Sequence, residues 1–187
     1  MTIEKIRALV RAECDDWNWH YHILPVVKYA RLLAVELGED EDMAELAALL
    51  HDIGRLLFGS QDHDTRGARE AETILKEHGY PDETIQAIRH CVEAHRGNGE
   101  VKPTTLLAKI IASADALSHF DIIPAMIQAG LKRESGDIEK AVKWVDAKIE
   151  RDYHEKLLVE SAKRLAKDKY EAFRLLIDAM QGYFIGE

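Results

Sequence analysis

The amino-acid sequence predicts an all-α fold, a compact helical bundle with long C-terminal helices. Apolar residues recur at helical spacing through most of the 187 residues, beginning with Ile3, Ile6 and Val10. No segment bounded by turn signals alternates apolar and polar residues as a half-buried strand requires. The chain also has no internal repeat and no low-complexity linker, so we expect one domain over residues 1–187.

Caps and stop signals place the helices of the first half. A second helix is predicted from about 22 to 37, because Pro25 is tolerated only in a first turn and Gly38 favours a stop. Asp40 is a suitable N-cap for the third helix. The apolar face of that third helix consists of Met43, Leu46, Leu50 and Ile53.

Turns that contain glycine or proline separate the next three helices. The fourth is predicted over about 66–77 and stops at Gly79. Pro81 can open a fifth helix, which runs to about residue 95, because proline is tolerated in a first turn. Pro103 begins a sixth helix that reaches about residue 119.

The region after residue 120 is predicted to be a helical extension of the core at about 20–120. From about 136 to 183 the chain is rich in Ala, Lys, Glu and Leu and has no proline, which predicts one or two long amphipathic helices. Residues 121–187 carry no obvious chemistry. We therefore expect the extension to pack on its own domain or on a second subunit, the latter forming a homo-oligomer.

The charge balance narrows the classes of partner. The chain has 25 Lys and Arg against 34 Asp and Glu, a formal net charge of −9. An acidic surface repels a phosphate backbone, so extended nucleic acid is not an expected partner. A small phosphorylated ligand needs only local positive charge and stays compatible with this balance.

Cysteine content and hydropathy exclude further classes. Cys14 and Cys91 lack CxxC spacing, which argues against a disulfide framework or a thiolate zinc site. The N-terminus lacks the apolar region of a signal peptide, and no run approaches 18 uncharged apolar residues. The sequence therefore predicts no membrane association and a cytoplasmic location.

The strongest local feature is the dipeptide His51-Asp52, which lies in the apolar segment 49–55. Adjacent helical residues point about 100° apart, so both side chains can border the buried face. An ionised carboxylate buried without a partner is costly, and a cation would compensate. Imidazole nitrogen and carboxylate oxygen together suit Zn, Mn, Fe, Co or Ni. The alternative is a histidine and an aspartate that hydrogen-bond to nearby backbone.

Two further residues favour the metal site over that alternative. His22 opens an apolar helix, and Asp115 is the only charged residue between Lys109 and Asp121. Together with the dipeptide they place two histidines and two aspartates on three helices. Such residues can converge in the core of a bundle, where helical proteins commonly build metal sites.

At these residues the sequence resembles the HD-domain metal-dependent phosphohydrolases. The shared order is His22, then His51-Asp52, then Asp115. Five segments carry the resemblance: HILPV at 22–26, LAALLHDIGR at 46–55, HDTRGA at 63–68, VEAH at 92–95 and LAKIIASAD at 107–115. A single HD dipeptide is a weak signal, whereas five motifs in order indicate the family.

The resemblance implies a ligand set for one divalent ion, which could be Mn, Fe, Co, Ni, Zn or Mg: His22, His51, Asp52 and Asp115. Some family members hold a second ion, bridged by the aspartate of the dipeptide and bound by two more histidines. Here these would be His63 and His95, which alternatively contact the substrate of a single-metal enzyme. Asp52 is the expected catalytic residue, since it could also orient the water nucleophile.

Phosphate binding requires positive charge near the metal. The candidate residues are Arg55, Arg66 and Lys109, with Arg96 as a further possibility. Arg55 occupies a position where the family often has lysine, and a guanidinium suits bidentate contacts with phosphate. The alternative for each residue is a solvent-exposed charge on a helix surface.

Helical phase decides between two neighbouring histidines. His95 shares a stripe with Val92 and is expected to point inward, whereas His90 lies about 140° away on a more polar face. His119 lies one turn beyond Asp115, and we expect it to have a structural role. Structural or solvent-exposed roles are also expected for His20, His78 and His154.

The sequence thus predicts a metal-dependent phosphohydrolase that acts on a small phosphorylated substrate, with a nucleotide as the leading candidate. Metal-activated water would cleave a phosphate ester or anhydride. Two alternatives are a di-iron oxygenase built on the same fold and a non-catalytic helical module that binds a protein or ligand. The sequence leaves open the identity of the substrate, the identity and number of ions, and the oligomeric state.

Overall fold

The computed structural model describes residues 3–97 and 99–184, and all the regular elements among them are helical. In chain order the helices are α1 (Ile3–Glu13), α2 (Asp16–Asn18), α3 (Leu24–Leu37), α4 (Glu41–Leu50), α5 (Ile53–Phe58), α6 (His63–Glu77), α7 (Asp82–Ala94), α8 (Leu106–Asp121), α9 (Ile123–Arg133), α10 (Ile138–Arg151) and α11 (Glu160–Phe184). Two π-helical segments, Trp19–Ile23 and Asp152–Lys156, precede α3 and follow α10. The all-α prediction is confirmed.

The second predicted helix begins earlier than about residue 22. The chain is already helical at α2, where Asp15 Oδ1 accepts a hydrogen bond from the backbone N–H of Asn18. It then passes through the first π segment, in which the N–H of Leu24 donates to the carbonyl of Trp19, five residues back. Pro25 has no N–H for the α-helical pattern, which accounts for the wider turn directly before it.

The third predicted helix begins as expected and ends sooner. Asp40 Oδ1 accepts from the N–H of Met43 at 2.9 Å, and Gly38 ends the preceding helix at a φ of 75°. Asp52, however, has a φ of −108° and a ψ of 16°, outside the α-helical region. The dipeptide His51-Asp52 therefore lies at the junction of α4 and α5, and not inside one helix.

A close contact between two glycines holds α6 against α5. A Cβ atom on Gly54 would lie 2.1 Å from the carbonyl oxygen of His63 and 2.6 Å from the backbone nitrogen of Gly67. Only glycine lets the two backbones come this near. Because α6 starts at His63, three residues before the predicted start at 66, this contact also positions the first residue of the helix.

The central buried helix of the bundle is α8. The Thr105 hydroxyl caps it by accepting from the N–H of Ala108 at 3.2 Å, and residues 110–120 are all buried. Helices α3, α4, α7 and α11 pack around it. Asp115 and His119 are thus carried by the element that has the most neighbours.

The extension packs against the helices that carry the motifs. Helices α9 and α10 pack against each other, so closely that a Cβ atom on Gly130 would lie 3.1 Å from the carbonyl oxygen of Ala141. The second π segment contacts α8, and α11 packs on α3 and α8. The prediction of one or two long C-terminal helices corresponds to α10 and α11, with the π segment between them.

None of the described helices is long and apolar enough to cross a membrane by itself. Only α8 and α9 taken together have the length and apolar composition of a membrane span, and the chain bends by 88° between them.

Candidate metal centre

Seven titratable side chains converge at one place in the bundle. They are His22 in the first π segment, His51 and Asp52 at the α4–α5 junction, His63 at the start of α6, His95 just after α7, and Asp115 and His119 in α8. We call this set the His–Asp cluster. Six of its members are buried, and His22 is partly buried. All the metal ligands and possible second-metal ligands that the sequence suggested thus lie together.

One oxygen of Asp52 faces the first set of ligands. Its Oδ2 atom lies 3.0 Å from Nε2 of His22, and that nitrogen lies 3.1 Å from Nε2 of His51. Nε2 of His22 is also 3.9 Å from Oδ1 of Asp115. These are the four residues that the family resemblance assigns to one divalent ion.

The other oxygen of Asp52 faces the second pair of histidines. Its Oδ1 atom lies 3.4 Å from Nε2 of His63 and 3.5 Å from Nε2 of His95. This oxygen is buried, and among the described residues it has no hydrogen-bond partner. Asp52 therefore lies between the two groups of imidazoles and contacts each with a different oxygen.

Backbone hydrogen bonds orient three of the rings. The Nδ1 atoms of His51, His63 and His95 donate to the carbonyls of the residues three positions earlier, at 2.7, 2.9 and 2.6 Å. A carbonyl can only accept, so Nδ1 carries the proton in each ring. In the neutral ring Nε2 then carries a lone pair directed into the cluster. This Nδ1-protonated tautomer is the one that a metal ion needs.

The contacts around Asp52 Oδ1 identify a place for a cation. Three atoms, this oxygen and the Nε2 atoms of His63 and His95, face one another, and in the tautomers that the backbone hydrogen bonds favour all three are acceptors. Ligands of an ion at about 2.1 Å lie about 3.0 to 3.4 Å apart in octahedral or tetrahedral sites. The observed separations of 3.0 to 3.5 Å match this range, so the residues present fit a divalent ion.

Burial and neighbouring groups set the charge states. Burial lowers the pKa of His51 to about 3 and also lowers the pKa of His63. Burial by itself would raise the pKa of Asp52, but the hydrogen bond from His22 lowers it, and this pKa lies well below its usual range. At neutral pH His51 and His63 are therefore neutral and Asp52 is ionised, as metal binding requires.

Asp115 has a partner that the sequence did not suggest. Nζ of Lys156 donates to its Oδ2 at 2.5 Å, while its Oδ1 lies 3.8 Å from Nε2 of His119. Burial would raise the pKa of Asp115, yet Lys156 and the nearby histidines keep it well below its usual range. Nδ1 of His119 donates to Asp152 at 2.8 Å, which fits the structural role expected for that histidine.

Two arginines lie beside the cluster and line its cavity, which has a volume of about 560 Å³. Nε of Arg55 lies 3.0 Å from Oδ2 of Asp52, and its Nη2 donates to His63 at 3.2 Å. Arg96 lines the same cavity and forms an ion pair with Asp64 at 3.3 Å. Arg55 is therefore placed to contact an anion bound next to Asp52.

The other two candidate phosphate ligands do not lie on the cavity wall. The guanidinium of Arg66 stacks 4.4 Å from the ring centre of Phe58 and is exposed. Lys109 lies six residues before Asp115 on α8, which turns it about 120° away and moves it about 9 Å along the axis. The structure therefore does not bring either residue to the site.

The remaining histidines lie outside the cluster. Nε2 of His90 accepts a hydrogen bond from the N–H of Thr104 at 3.2 Å. Nδ1 of His78 donates to the Ile74 carbonyl at the end of α6. His20 and His154 are exposed. The structure thus places His95 inside the cluster and His90 outside it.

Sequence reasoning missed the cavity wall supplied by the extension. This wall is cationic and comprises Arg133, Lys148, Arg151 and Lys156. A signal for part of it was present, because the apolar stripe of Val145 and Ile149 continues at the same spacing to Asp152 and Lys156. Charged residues in phase with an apolar stripe are expected to be buried, and these two are.

Comparison with known proteins identifies the family of the chain and a shared fold. The family model of the HD domain matches residues 19–119, more than half of the chain. YpgQ from Bacillus subtilis superposes with a TM-score of 0.76 at 21% identity, over 98% of this chain and 94% of that chain. A second YpgQ structure, in complex with ADP, gives a TM-score of 0.74 at 20% identity over 99% of both chains. At these identities the likeness establishes a shared fold.

Two further proteins are similar to the chain, one a solved structure and the other a curated relative. A protein described as a predicted HD superfamily hydrolase, from an uncultured Thermotogales bacterium, gives a TM-score of 0.67 at 24% identity over 97% of this chain and 92% of that chain. Ribonuclease Y from Bacillus thuringiensis is 37% identical over 102 residues, 52% of this chain. The match spans only 17% of the length of that relative.

Proposed function

The chain belongs to the HD-domain family, and we propose that it is a metal-dependent phosphohydrolase acting on a nucleotide or another small phosphorylated metabolite. The observation that carries the proposal is the arrangement around Asp52. Its two oxygens face two sets of imidazoles, and Oδ1 is buried with no hydrogen-bond partner among the described residues. The ADP complex of YpgQ, which shares the fold, supports a nucleotide-type ligand.

The positions of six of the seven cluster members suggest a role for each. His22, His51, Asp52 and Asp115 would hold one ion, and Asp52 would share a second with His63 and His95. When bound, a divalent ion in this set supplies water of lowered pKa and polarises a phosphoryl oxygen.

The side chains of the protein itself prepare the site in three ways. The backbone carbonyls behind His51, His63 and His95 keep their lone pairs directed inward. The ionised Asp52 carboxylate can accept a hydrogen bond from the attacking water and so orient it. The Arg55 side chain is 48% exposed beside Asp52, within reach of a phosphoryl oxygen.

Lys156 is a positioning residue for Asp115. It neutralises Oδ2 of that carboxylate and leaves Oδ1 directed towards His22 and His119. The carboxylate is thereby fixed in one orientation in a buried place where an unpaired charge would be costly. This role adds one member from the extension to a site whose other residues lie between 20 and 120.

Alternative functions of the chain would use the same His–Asp cluster in other ways. A di-iron oxygenase would need both sets of ligands around Asp52, and the second set is present. A non-catalytic module would gain little from burying two carboxylates among apolar residues. Cleavage of RNA is a further possibility, because the matched relatives are ribonucleases, although the net charge of −9 opposes it.

A substrate and metal screen tests the proposal. Purified protein is analysed for bound metal and assayed with nucleoside mono-, di- and triphosphates, cyclic dinucleotides, dinucleoside polyphosphates and a short RNA. Each substrate is tested with Mn, Fe, Co, Ni, Zn and Mg. We expect hydrolysis of a small phosphorylated substrate that a chelator abolishes and one of these ions restores.

Three outcomes would overturn the proposal in different ways. Absence of bound metal together with no activity for any ion would leave a binding module. Oxygen consumption by iron-loaded protein, without phosphate release, would favour the oxygenase. Cleavage of RNA with no turnover of small substrates would keep the hydrolase and reject the substrate class.

A further inference from the structure

The cavity continues from the His–Asp cluster to a wall that the extension builds. Helices α9 and α10 and the second π segment contribute this wall, which lines the same cavity as Arg55 and Arg96. A volume of about 560 Å³ lies within the range of sites for small organic ligands, about 300–1,000 Å³, and is larger than a single phosphoryl group needs. The part of the cavity beyond the cluster is therefore available to the rest of a ligand.

The charges that line this cavity are strongly unequal. Among the described residues that line it, six are Arg or Lys and two are carboxylates. Both carboxylates, Asp52 and Asp115, belong to the His–Asp cluster and would be neutralised by metal. Three acidic residues outside the lining, Asp64, Glu134 and Asp152, pair with four of the six cations, so the excess of positive charge belongs to the cavity surface alone. It fits a ligand that carries more than one anionic group.

The cationic groups at the end of α10 share one carboxylate. Nζ of Lys148 lies 3.3 Å from Oδ2 of Asp152, and Nη2 of Arg151 lies 3.9 Å from Oδ1 of the same residue. His119 also donates to Asp152, at 2.8 Å. An ammonium has three N–H donors and a guanidinium five, more than one shared carboxylate can accept. Lys148 and Arg151 therefore retain hydrogen-bond donors for an anion.

An aromatic and apolar surface lies next to these cations. Trp144, one turn before Lys148 on α10, lines the cavity together with Ile122 and Met126. The guanidinium of Arg133 lies 5.9 Å from the centre of the Trp144 ring. A flat aromatic side chain beside cationic groups offers stacking to a heterocyclic base and ion pairs to the phosphates attached to it.

We infer that the α9–α10 wall recognises a nucleoside polyphosphate. Lys148 and Arg151 bind the phosphates that lie away from the His–Asp cluster, and Trp144 stacks on the base. This inference rests on the proposed function for the reaction at the cluster, but it concerns binding, which can be measured without turnover. It narrows the substrate class from any small phosphate ester to nucleoside di- and triphosphates.

Equilibrium binding of three probes distinguishes the phosphate contacts of the wall from its stacking contact. Adenosine triphosphate, inorganic tripolyphosphate and adenosine monophosphate are titrated calorimetrically into protein kept in chelator, which prevents turnover. We expect the triphosphate to bind at least about tenfold more tightly than the monophosphate, since each charge-assisted hydrogen bond is worth about that factor or more.

The variants assign each contact. Lys148→Met and Arg151→Gln should each weaken adenosine triphosphate and tripolyphosphate by about tenfold, whereas Trp144→Leu should weaken adenosine triphosphate and not tripolyphosphate. Lys148→Arg keeps the charge and should retain most of the affinity. The matched control is Lys143→Met on the same helix, whose side chain is 66% exposed and bonded to Glu139, and which should bind like the wild type.

The outcomes distinguish this inference from the proposed function. Unchanged affinities in both Arg151→Gln and Lys148→Met reject the phosphate contacts, and equal loss of both triphosphate probes in Trp144→Leu rejects the stacking. If Lys148→Met fails to fold, shown by circular dichroism, Lys148→Arg and Arg151→Gln still decide the matter. Selective binding without any hydrolysis would reject the proposed function alone, and hydrolysis with unselective binding would reject the inference alone.

Discussion

At the scale of single residues, Asp52 organises the site because its two oxygens have different neighbours. Oδ2 lies near His22 and Arg55, and Oδ1 lies near His63 and His95. Among the described residues Oδ1 has no hydrogen-bond donor, and a buried acceptor without one normally costs stability. A bound cation is the natural counterpart to such a group.

Replacing Asp52 tests this role. In Asp52→Ala we expect kcat/KM to fall at least about 100-fold, because even residues that only support a metal ligand are worth about 10–100-fold. The bound metal per chain should fall as well, while the helical circular dichroism persists. The control is Asp42→Ala, which removes an exposed carboxylate from the neighbouring helix. Wild-type activity in Asp52→Ala would reject the assignment.

Two histidines five residues apart provide a second test at this scale. His95→Ala removes a ring that faces Asp52, and we expect activity to fall by more than about tenfold. His90→Ala removes an acceptor for the N–H and the hydroxyl of Thr104, away from the cluster, so activity should stay within about twofold of the wild type. Steady-state kinetics compare the two, and the reverse order would refute the role given to His95.

At the scale of elements, the site is built where regular helices are interrupted. His22 lies in one π segment and Lys156 in the other, and His51-Asp52 lies at a junction between two helices. A straight helix spaces its side chains at about 100° and 1.5 Å, which restricts how many can meet at one point. Each interruption changes that spacing, so that side chains from several elements reach the same place.

At this scale, the contact between α5 and α6 can be tested most directly. In Gly54→Ala the new Cβ would lie 2.1 Å from the His63 carbonyl, so the two helices must separate. We expect a loss of about 1–3 kcal/mol in the free energy of unfolding, as for overpacked cores, and a loss of activity because His63 moves. Denaturant unfolding and kinetics measure both.

A glycine elsewhere serves as the control for this substitution. Gly38 has a φ of 75°, and a Cβ atom added to it would meet no other atom within 4 Å, so Gly38→Ala should cost about 1 kcal/mol through backbone strain alone. Its activity should stay that of the wild type. If Gly54→Ala kept full activity and stability, the contact would not be what positions His63.

At the scale of the whole molecule, buried titratable groups link stability to pH. Burial lowers the pKa of His51 to about 3, and burial together with Lys148 lowers the pKa of His119 to about 4. In the unfolded chain both have an ordinary pKa near 6.5, so below that value the unfolded state binds more protons. Their contribution is therefore present above about pH 6.5 and is lost as the pH falls towards 4.

This linkage predicts the behaviour of chelator-treated protein. Between pH 7.5 and pH 5, we expect the free energy of unfolding to fall by about 2 kcal/mol for each of these two histidines. Thermal unfolding followed by circular dichroism measures the trend. His154→Gln, which changes a largely exposed histidine, should leave the slope unaltered. A Tm that does not change over this range would contradict the prediction.

The sequence by itself determined much of the secondary structure, because the signals are local. The N-cap of α4 at Asp40 and the stop at Gly38 depend on hydrogen bonds and dihedral angles within a few residues. The candidate ligands could be identified because their motifs lie in order along the chain. Neither kind of signal depends on which helix packs against which.

Only the tertiary structure decided which cations face the cavity. Lys156 reaches Asp115 across 41 residues of chain, whereas Arg66 and Lys109, which lie within the motif segments, point elsewhere. The helical phase of Lys156 indicated that it is buried, but which cavity or partner a buried side chain faces depends on how distant helices pack. For the same reason, the role of the extension as one wall of the cavity became visible only in the folded chain.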